Sequence, residues 1–460
     1  MSMIRNFSEL VKNARSTRNQ EARKLALKAL EVSIETVDPK RIVESKVKIK
    51  GETLTIDGFK LSLRRFKRVT VVGAGKASGA MAEALERVLS DRITRGLVNV
   101  LEGTKPNFHT DKIELQEASH PVPSGKNTEA TEHMLELLAS LSEDDLVFCL
   151  ISGGGSAMMS SPAAGISLAD KQEITRSLLK CGATIREINT VRKHLSKVKG
   201  GWLAKKAYPS TLVSLIVSDV VGDPVDAIAS GPTAPDPTTY VNAIKVLKKY
   251  DLWAGSPNSV RERLVKGYRS VIPDTPKSDD ESFKKVFNIV LGNNSLACYA
   301  AQHTLEEFGL KTLYLTSLLE GEAREAALVL ASIIREIDAS GRPVRRPAAL
   351  IAGGETTVTV KGSGKGGRNQ EMVLSLLGKI AGMPGVAAAS IGTDGVDGPT
   401  DAAGAIVDSD SLSRAIAIKL NPTEFLLNND SYGFFSKTND LIFTGPTGTN
   451  VNDLFAAVLV

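Results

Sequence analysis

Four charged side chains of this sequence, Lys76, Asp219, Arg368 and Asp394, stand beside glycine-rich turns at the ends of apolar runs. Lys and Arg at such places hold anionic oxygens, Arg with a bidentate fork. An Asp there can take a hydroxyl proton or hold a hard cation. Lys76 lies in VVGAGKASG (Val71 to Gly79), a strand followed by a glycine turn that opens a helix. Gly73 and Gly75 would let backbone N–H groups approach an anion, and the helix start adds favourable partial charge. As a dinucleotide fingerprint the segment reads G-x-G-x-x-S, with Ser78 where the third glycine belongs and Glu102 placed to meet a ribose. A dehydrogenase therefore stays open, as does a plain strand-to-helix turn.

LISGGGSA (Leu150 to Ala157) sets three glycines directly after an apolar run. Ser152, Gly153, Gly154, Gly155 and Ser156 can form an anion nest of backbone N–H groups. A hydrolase elbow is excluded, because Met158 stands where G-x-S-x-G needs glycine. Asp219 opens SDVVGDPVDAIASGPTAP, in which Asp223 and Asp226 read better as turn residues. Upstream, NTVRKHLSKVKGG packs Arg192, Lys193, His194, Lys197 and Lys199 together. Such a run suits a solvated helix face, or in Arg192 a contact to phosphate.

In the second half Gly353-Gly354-Glu355 ends one apolar run, and GSGKGGRNQE leads into a helix. A Walker A loop fails here, since Thr359 replaces its first glycine and Gly366 follows Lys365 where Ser or Thr must bind Mg²⁺. Gly366, Gly367 and Arg368 remain as an anion-binding turn. IGTDGVDGPTDAAG places Asp394 just past a strand, with Asp397 and Asp401 behind it, but without the EF-hand spacing. Of the histidines, His133 and His303 fall on amphipathic helices and His109 in a polar loop. His120, in SHPVPS, is the one placed to reach a ligand crevice.

The elements that must position these groups alternate. Strands are expected at 68–73, 96–101, 146–151 and 212–218, with helices at 77–89, 127–140 and 170–181 between them, after a helical stretch over 7–37. That order implies parallel pairing and a doubly wound sheet. The polar stretch 270–282 is the expected boundary, so 1–275 and 283–460 are read as two domains at roughly 150 residues or more each. After it come strands at 286–291, 312–316, 348–352, 356–360 and 386–391 and helices at 296–308, 323–337 and 370–380. A glycine- and asparagine-rich loop and a short apolar helix are expected to end the chain.

Composition narrows the class. With 42% hydrophobic and 24% charged residues the chain is an ordinary globular one. Its 57 basic and 52 acidic residues are interspersed and aromatics are 5%, which speaks against nucleic-acid binding. Cys149, Cys181 and Cys298 form neither a disulfide framework nor a zinc cluster. There is no signal-peptide pattern, and no run approaches the ~18 apolar residues of a membrane span. A cytoplasmic protein with no membrane partner is expected.

Taken in order, GAGKAS (73–78), SHPVP (119–123), LISGGGSA (150–157), INTVRKHLS (188–196), SDVVGDPVDAIASGPT (218–233), GGETTVTVKGSGKGGRNQE (353–371), GTDGVDGPTDAAGA (392–405) and TGPTGTNVNDL (444–454) resemble the glycerate 2-kinase family with its MOFRL domain. The resemblance runs through nearly the whole chain. It implies an N-terminal Rossmann-like domain, a smaller C-terminal α/β domain and an active site in the interdomain cleft. It further implies ATP, Mg²⁺ or another divalent cation, and D-glycerate, with 2-phosphoglycerate as product. Carried over by position, Lys76, Asp219, Arg368 and Asp394 are the functional candidates, Asp219 and Asp394 also for metal. Gly75, Ser152 to Ser156, Arg192, Glu355, Gly366 and Gly367 are the candidate substrate and phosphate contacts. The final residues could pack back on the first domain, and a homodimer is compatible with the family. The rivals are an NAD(P)-dependent hydroxypyruvate reductase and a sugar-phosphate-binding protein without turnover.

Overall fold

The computed structural model describes residues 2–460. The chain forms two compact units: Pro39–Leu291, and a second unit made of 1–38 together with Gly292–Val460.

The Pro39–Leu291 unit is built on a six-stranded sheet. Its order is Ile113–Ala118, Arg95–Leu101, Arg68–Ala74, Asp145–Ile151, Thr211–Val217, Val286–Gly292. The first five strands are all parallel. Asp145–Ile151 and Thr211–Val217 are buried at every residue, as strands covered on both faces must be. From Arg68–Ala74 the chain winds outward through Arg95–Leu101 and Ile113–Ala118, then returns to the other side with Asp145–Ile151. The reversal lies between Arg68–Ala74 and Asp145–Ile151, and there the crossovers leave a crevice at the strands' carboxyl ends. Four helices, Leu168–Lys180, Ile185–His194, Tyr240–Lys249 and Asn258–Tyr268, share a separate small core around Ile174, Val191 and Leu247. A three-stranded antiparallel sheet over 47–62 was not legible in the sequence.

The other unit has a mixed sheet ordered Lys311–Leu319, Ala348–Gly354, Asp453–Leu459, Val386–Gly392, Gly404–Asp408, Leu441–Ile442. Only the first pair is parallel. The apolar C-terminal segment is therefore a central strand, not the expected helix, and it does not leave its own unit. A short apolar run buried on both faces carries no period that separates strand from helix. The strand expected at 356–360 is also absent, leaving one isolated bridge at Thr357, because that segment runs along the cavity described below.

Two boundaries differ from the expectation of 1–275 and 283–460. Val286–Gly292 is the last strand of the Pro39–Leu291 sheet, so the polar stretch 270–282 is a surface connection within a unit. Residues 1–38 lie with the C-terminal half. Apolar spacing revealed the helix Thr17–Thr36 but not the sheet that buries it. Its anchor is Arg23, fully buried, which donates to Asp408, to Asp440 at 2.8 Å and to the Leu10 carbonyl at 2.9 Å.

Candidate active site

The reversal point of the parallel sheet is filled by two interlocked glycine turns. Gly75, at φ 147°, faces Ser152 so closely that a Cβ would overlap its side chain and carbonyl. The Lys76 N–H donates to Gly153 O at 2.8 Å, and the Ala77 N–H donates to Ser152 Oγ at 3.0 Å. Ser78, in the third glycine's place, is buried and donates to Leu150 O at 3.2 Å. The N–H groups that would cradle a dinucleotide pyrophosphate are thus already spent on the 152–153 turn. Gly75 exists to admit that turn, which corrects the expectation that it admits an anion. Glu102, the ribose candidate, pairs with Lys126 at 2.8 Å.

What this packing leaves exposed is the second turn. Gly155 N–H closes it on Ser152 O at 3.1 Å. Among the described residues the N–H groups of Gly153 and Gly154 have no partner. The Asp219 carboxylate, past Thr211–Val217, abuts Gly153. A Cβ on Gly154 would lie 3.1 Å from His120 Cδ2 and 3.4 Å from Lys76 Cγ. Sequence-predicted Lys76, Gly153, Gly154 and Asp219 are therefore brought together by the ends of three strands.

Arg192 reaches the same turn, donating to Ser156 O at 3.4 Å, and Lys199 Nζ donates to that carbonyl at 2.6 Å and to Met159 O at 3.0 Å. Lys171 Nζ donates to Ser160 Oγ at 3.2 Å. No carboxylate lies within ion-pair reach of any of the three among the described residues. Burial lowers Arg192 to about 10, and burial with Arg192 beside it lowers Lys171 to about 7. Burial, Lys171 and Arg192 take Lys199 well below the ordinary lysine range. The basic run 189–201 is thus no solvated face: Lys193 and His194 are buried too, and only Lys197 is exposed. The side of Ser156 away from them meets Ser230 Oγ at 2.7 Å, where Ala229 (φ 50°) and Ser230 (φ 63°) both hold left-handed backbone that costs these residues free energy.

In the other unit, a cavity of about 630 Å³ is lined by Thr356, Thr357, Val358, Val360, Gly364, Gly366, Gly367, Arg368, Asp394 and Asn429 among others. The glycine loop above it is pinned from 428–430. Asn429 Oδ1 accepts from the Lys361 and Gly362 N–H groups, Asn428 from those of Ser363 and Gly364, and Asp430 from that of Lys365. Gly366 and Gly367 keep theirs without a partner among the described residues. The sequence reading missed 428–430; its Asn-Asn-Asp run is a turn signal whose partner lies about seventy residues away.

Asp397 caps the helix Arg368–Leu377, accepting from Asn369 N–H at 3.0 Å and Gln370 N–H at 2.9 Å, so it is a positioning group. Arg368 is held between Glu355 at 2.8 Å and Asp453 at 2.6 Å. Burial alone would lower the guanidinium; these two carboxylates raise it, and it stays charged. Glu355 therefore orients Arg368. Asp394 Oδ1 accepts from Val396 N–H at 3.1 Å while its carboxylate lines the cavity. Among the described residues no group of three or more His, Cys, Asp or Glu side chains could hold a metal, and no helix is long and apolar enough to cross a membrane.

Fold and site define an α/β protein that presents cations and glycine N–H groups at strand ends, a design for holding anions. Residues 25–265 match the family model described as a domain of unknown function (DUF4147), and residues 348–453 match the MOFRL family. D-glycerate 2-kinase of Thermotoga maritima is 44% identical over 96% of this chain and 99% of its own. A crystal structure of glycerate kinase from Thermotoga maritima matches with a TM-score of 0.85 at 42% identity, covering 95% of this chain and 99% of that one. A relative from Agrobacterium vitis, provisionally named hydroxypyruvate reductase, is 43% identical over 85% of this chain and 87% of its own length. The chain belongs to the glycerate 2-kinase family.

Proposed function

We propose that this protein transfers the γ-phosphoryl group of ATP to the 2-hydroxyl of D-glycerate, giving 2-phosphoglycerate and ADP. Phosphoryl transfer asks for positioning and charge neutralisation rather than covalent chemistry. Lys76 and Arg368 supply cations for the carboxylate of glycerate and the transferring phosphate. Gly153, Gly154, Gly366 and Gly367 offer N–H groups to phosphate oxygens, and Arg192 adds a further charge beside Ser156. Asp219 and Asp394 are the carboxylates available to a nucleotide-bound Mg²⁺, an ion that keeps water and phosphate oxygens and needs only one or two protein ligands. Mg²⁺ neutralises phosphate charge in such a transfer.

The observation that carries this reading against a reductase is the occupied helix start at Ala77. Its N–H, and that of Lys76, are bound to Ser152 and Gly153 rather than open to a pyrophosphate. Purified protein is expected to release ADP in a glycerate-dependent manner and to leave NADH absorbance unchanged with hydroxypyruvate. NADH oxidation without ADP release would reverse the assignment.

A further inference from the structure

We propose that the His120 imidazole contacts the acceptor alcohol and takes its proton during the transfer. The inference rests on the kinase reading and adds a catalytic residue to it.

Three observations on different footings converge. His120 follows the carboxyl end of Ile113–Ala118, and its ring edge packs on Gly154, with Cδ2 at 3.1 Å and Nε2 at 3.3 Å from where a Cβ would stand. Lys76 packs on the same glycine and Asp219 on its neighbour Gly153. The imidazole thus borders the place where the N–H groups of Gly153 and Gly154 would hold an anion.

Neither ring nitrogen of His120 is hydrogen-bonded among the described residues. His194 shows what a structural histidine of this unit looks like: buried, with Nδ1 2.7 Å from Thr190 O and Nε2 2.9 Å from Asp274 Oδ1. Half-buried His120 carries uncommitted nitrogens that must find either water or substrate.

Its charge state suits a base. Burial first, and Lys76 second, lower its pKa from the ordinary value, so the neutral ring prevails at pH 7. Lys76, which packs on the same glycine, is the charged group that acts on it. As the glycerate hydroxyl oxygen forms its bond to the γ-phosphorus, the bond from phosphorus to the bridging oxygen breaks and its electron pair leaves with ADP. The hydroxyl proton passes to a His120 nitrogen and goes to water when products depart. Asp219 is then not required as the base.

His120→Asn should keep the wild-type circular dichroism and lower kcat about 10²-fold or more, the scale of a general base, with a smaller change in the KM for glycerate. The acidic limb of the wild-type kcat/KM profile should fall below the ordinary histidine value of about 6.5 and vanish in the variant. Asp219→Asn should retain that limb. Independently of any variant, diethylpyrocarbonate should inactivate the wild-type enzyme. D-glycerate should protect it, hydroxylamine should restore it, and peptide mass spectrometry should place the modification on His120. Activity within about twofold in His120→Asn, an unchanged acidic limb, or inactivation without label on His120 would each overturn the proposal. A wild-type enzyme with no glycerate-dependent ADP release would instead overturn the kinase reading itself.

Discussion

Each unit buries a cluster of basic side chains, and the two clusters are built in opposite ways. In the unit of 1–38 and 292–460, Arg23 is fully buried between Asp408 and Asp440, with Arg414 donating to Asp440 at 3.0 Å. Every charge in that cluster has an opposite. In Pro39–Leu291, Lys171, Arg192 and Lys199 crowd the turn after Ser156 with hydroxyl and carbonyl acceptors but no carboxylate. Taking a charge out of water is costly unless it is paired. A paired buried cation is a fastener. An unpaired cluster beside glycine N–H groups makes a region whose missing negative charge a ligand can bring.

The largest effect should come from the fastener. Arg23→Met leaves Asp408 and Asp440 buried beside Arg414 alone, and should destabilise the protein by about 3–5 kcal/mol. Denaturant unfolding of the variant is the check, and an unchanged midpoint would break the comparison on that side. Next, Arg192→Met should fold as well as wild type and still lose catalytic efficiency. Removing one charged contact to an anion is worth about 1.5–3 kcal/mol, or roughly 10- to 100-fold in kcat/KM. Full activity in Arg192→Met would make the cluster merely structural.

The smallest effect per unit of pH is the dependence carried by Lys171. Its pKa falls from the ordinary lysine value of 10.5 to about 7 in the fold. Between those values the unfolded chain binds a proton that the native state does not, so stability rises with pH, by at most about 1.4 kcal/mol per unit. Below pH 7 the full penalty of burying the charge is present. Lys171→Met should lose this rise, so wild type should gain on the variant as pH goes from 7 to 10. Parallel stability curves for the two proteins would contradict the lowered lysine.

The same contrast explains what could be read from the residues. Apolar runs ending in glycine turns revealed the parallel strands and drew attention to Lys76, Gly153, Asp219 and Arg368, because strand ends and glycines are local signals. What Gly75 faces is not local: only the fold brings Ser152 onto it. The burial of Lys199 was equally hidden, since thirteen residues with five basic side chains look solvated until helix packing encloses them. Asp453–Leu459 was misread because apolar residues on both faces of a central strand show no alternation. Asn428 to Asp430 gave a turn signal but no hint of the glycine loop they hold.

The proposed reaction is the transfer of phosphate from ATP to the 2-hydroxyl of glycerate. Incubating the protein with D-glycerate, ATP and Mg²⁺ and following the mixture by phosphorus NMR tests it directly. The resonance of 2-phosphoglycerate should grow as γ-phosphate is lost. Formation of 3-phosphoglycerate, or loss of γ-phosphate to inorganic phosphate alone, would contradict it.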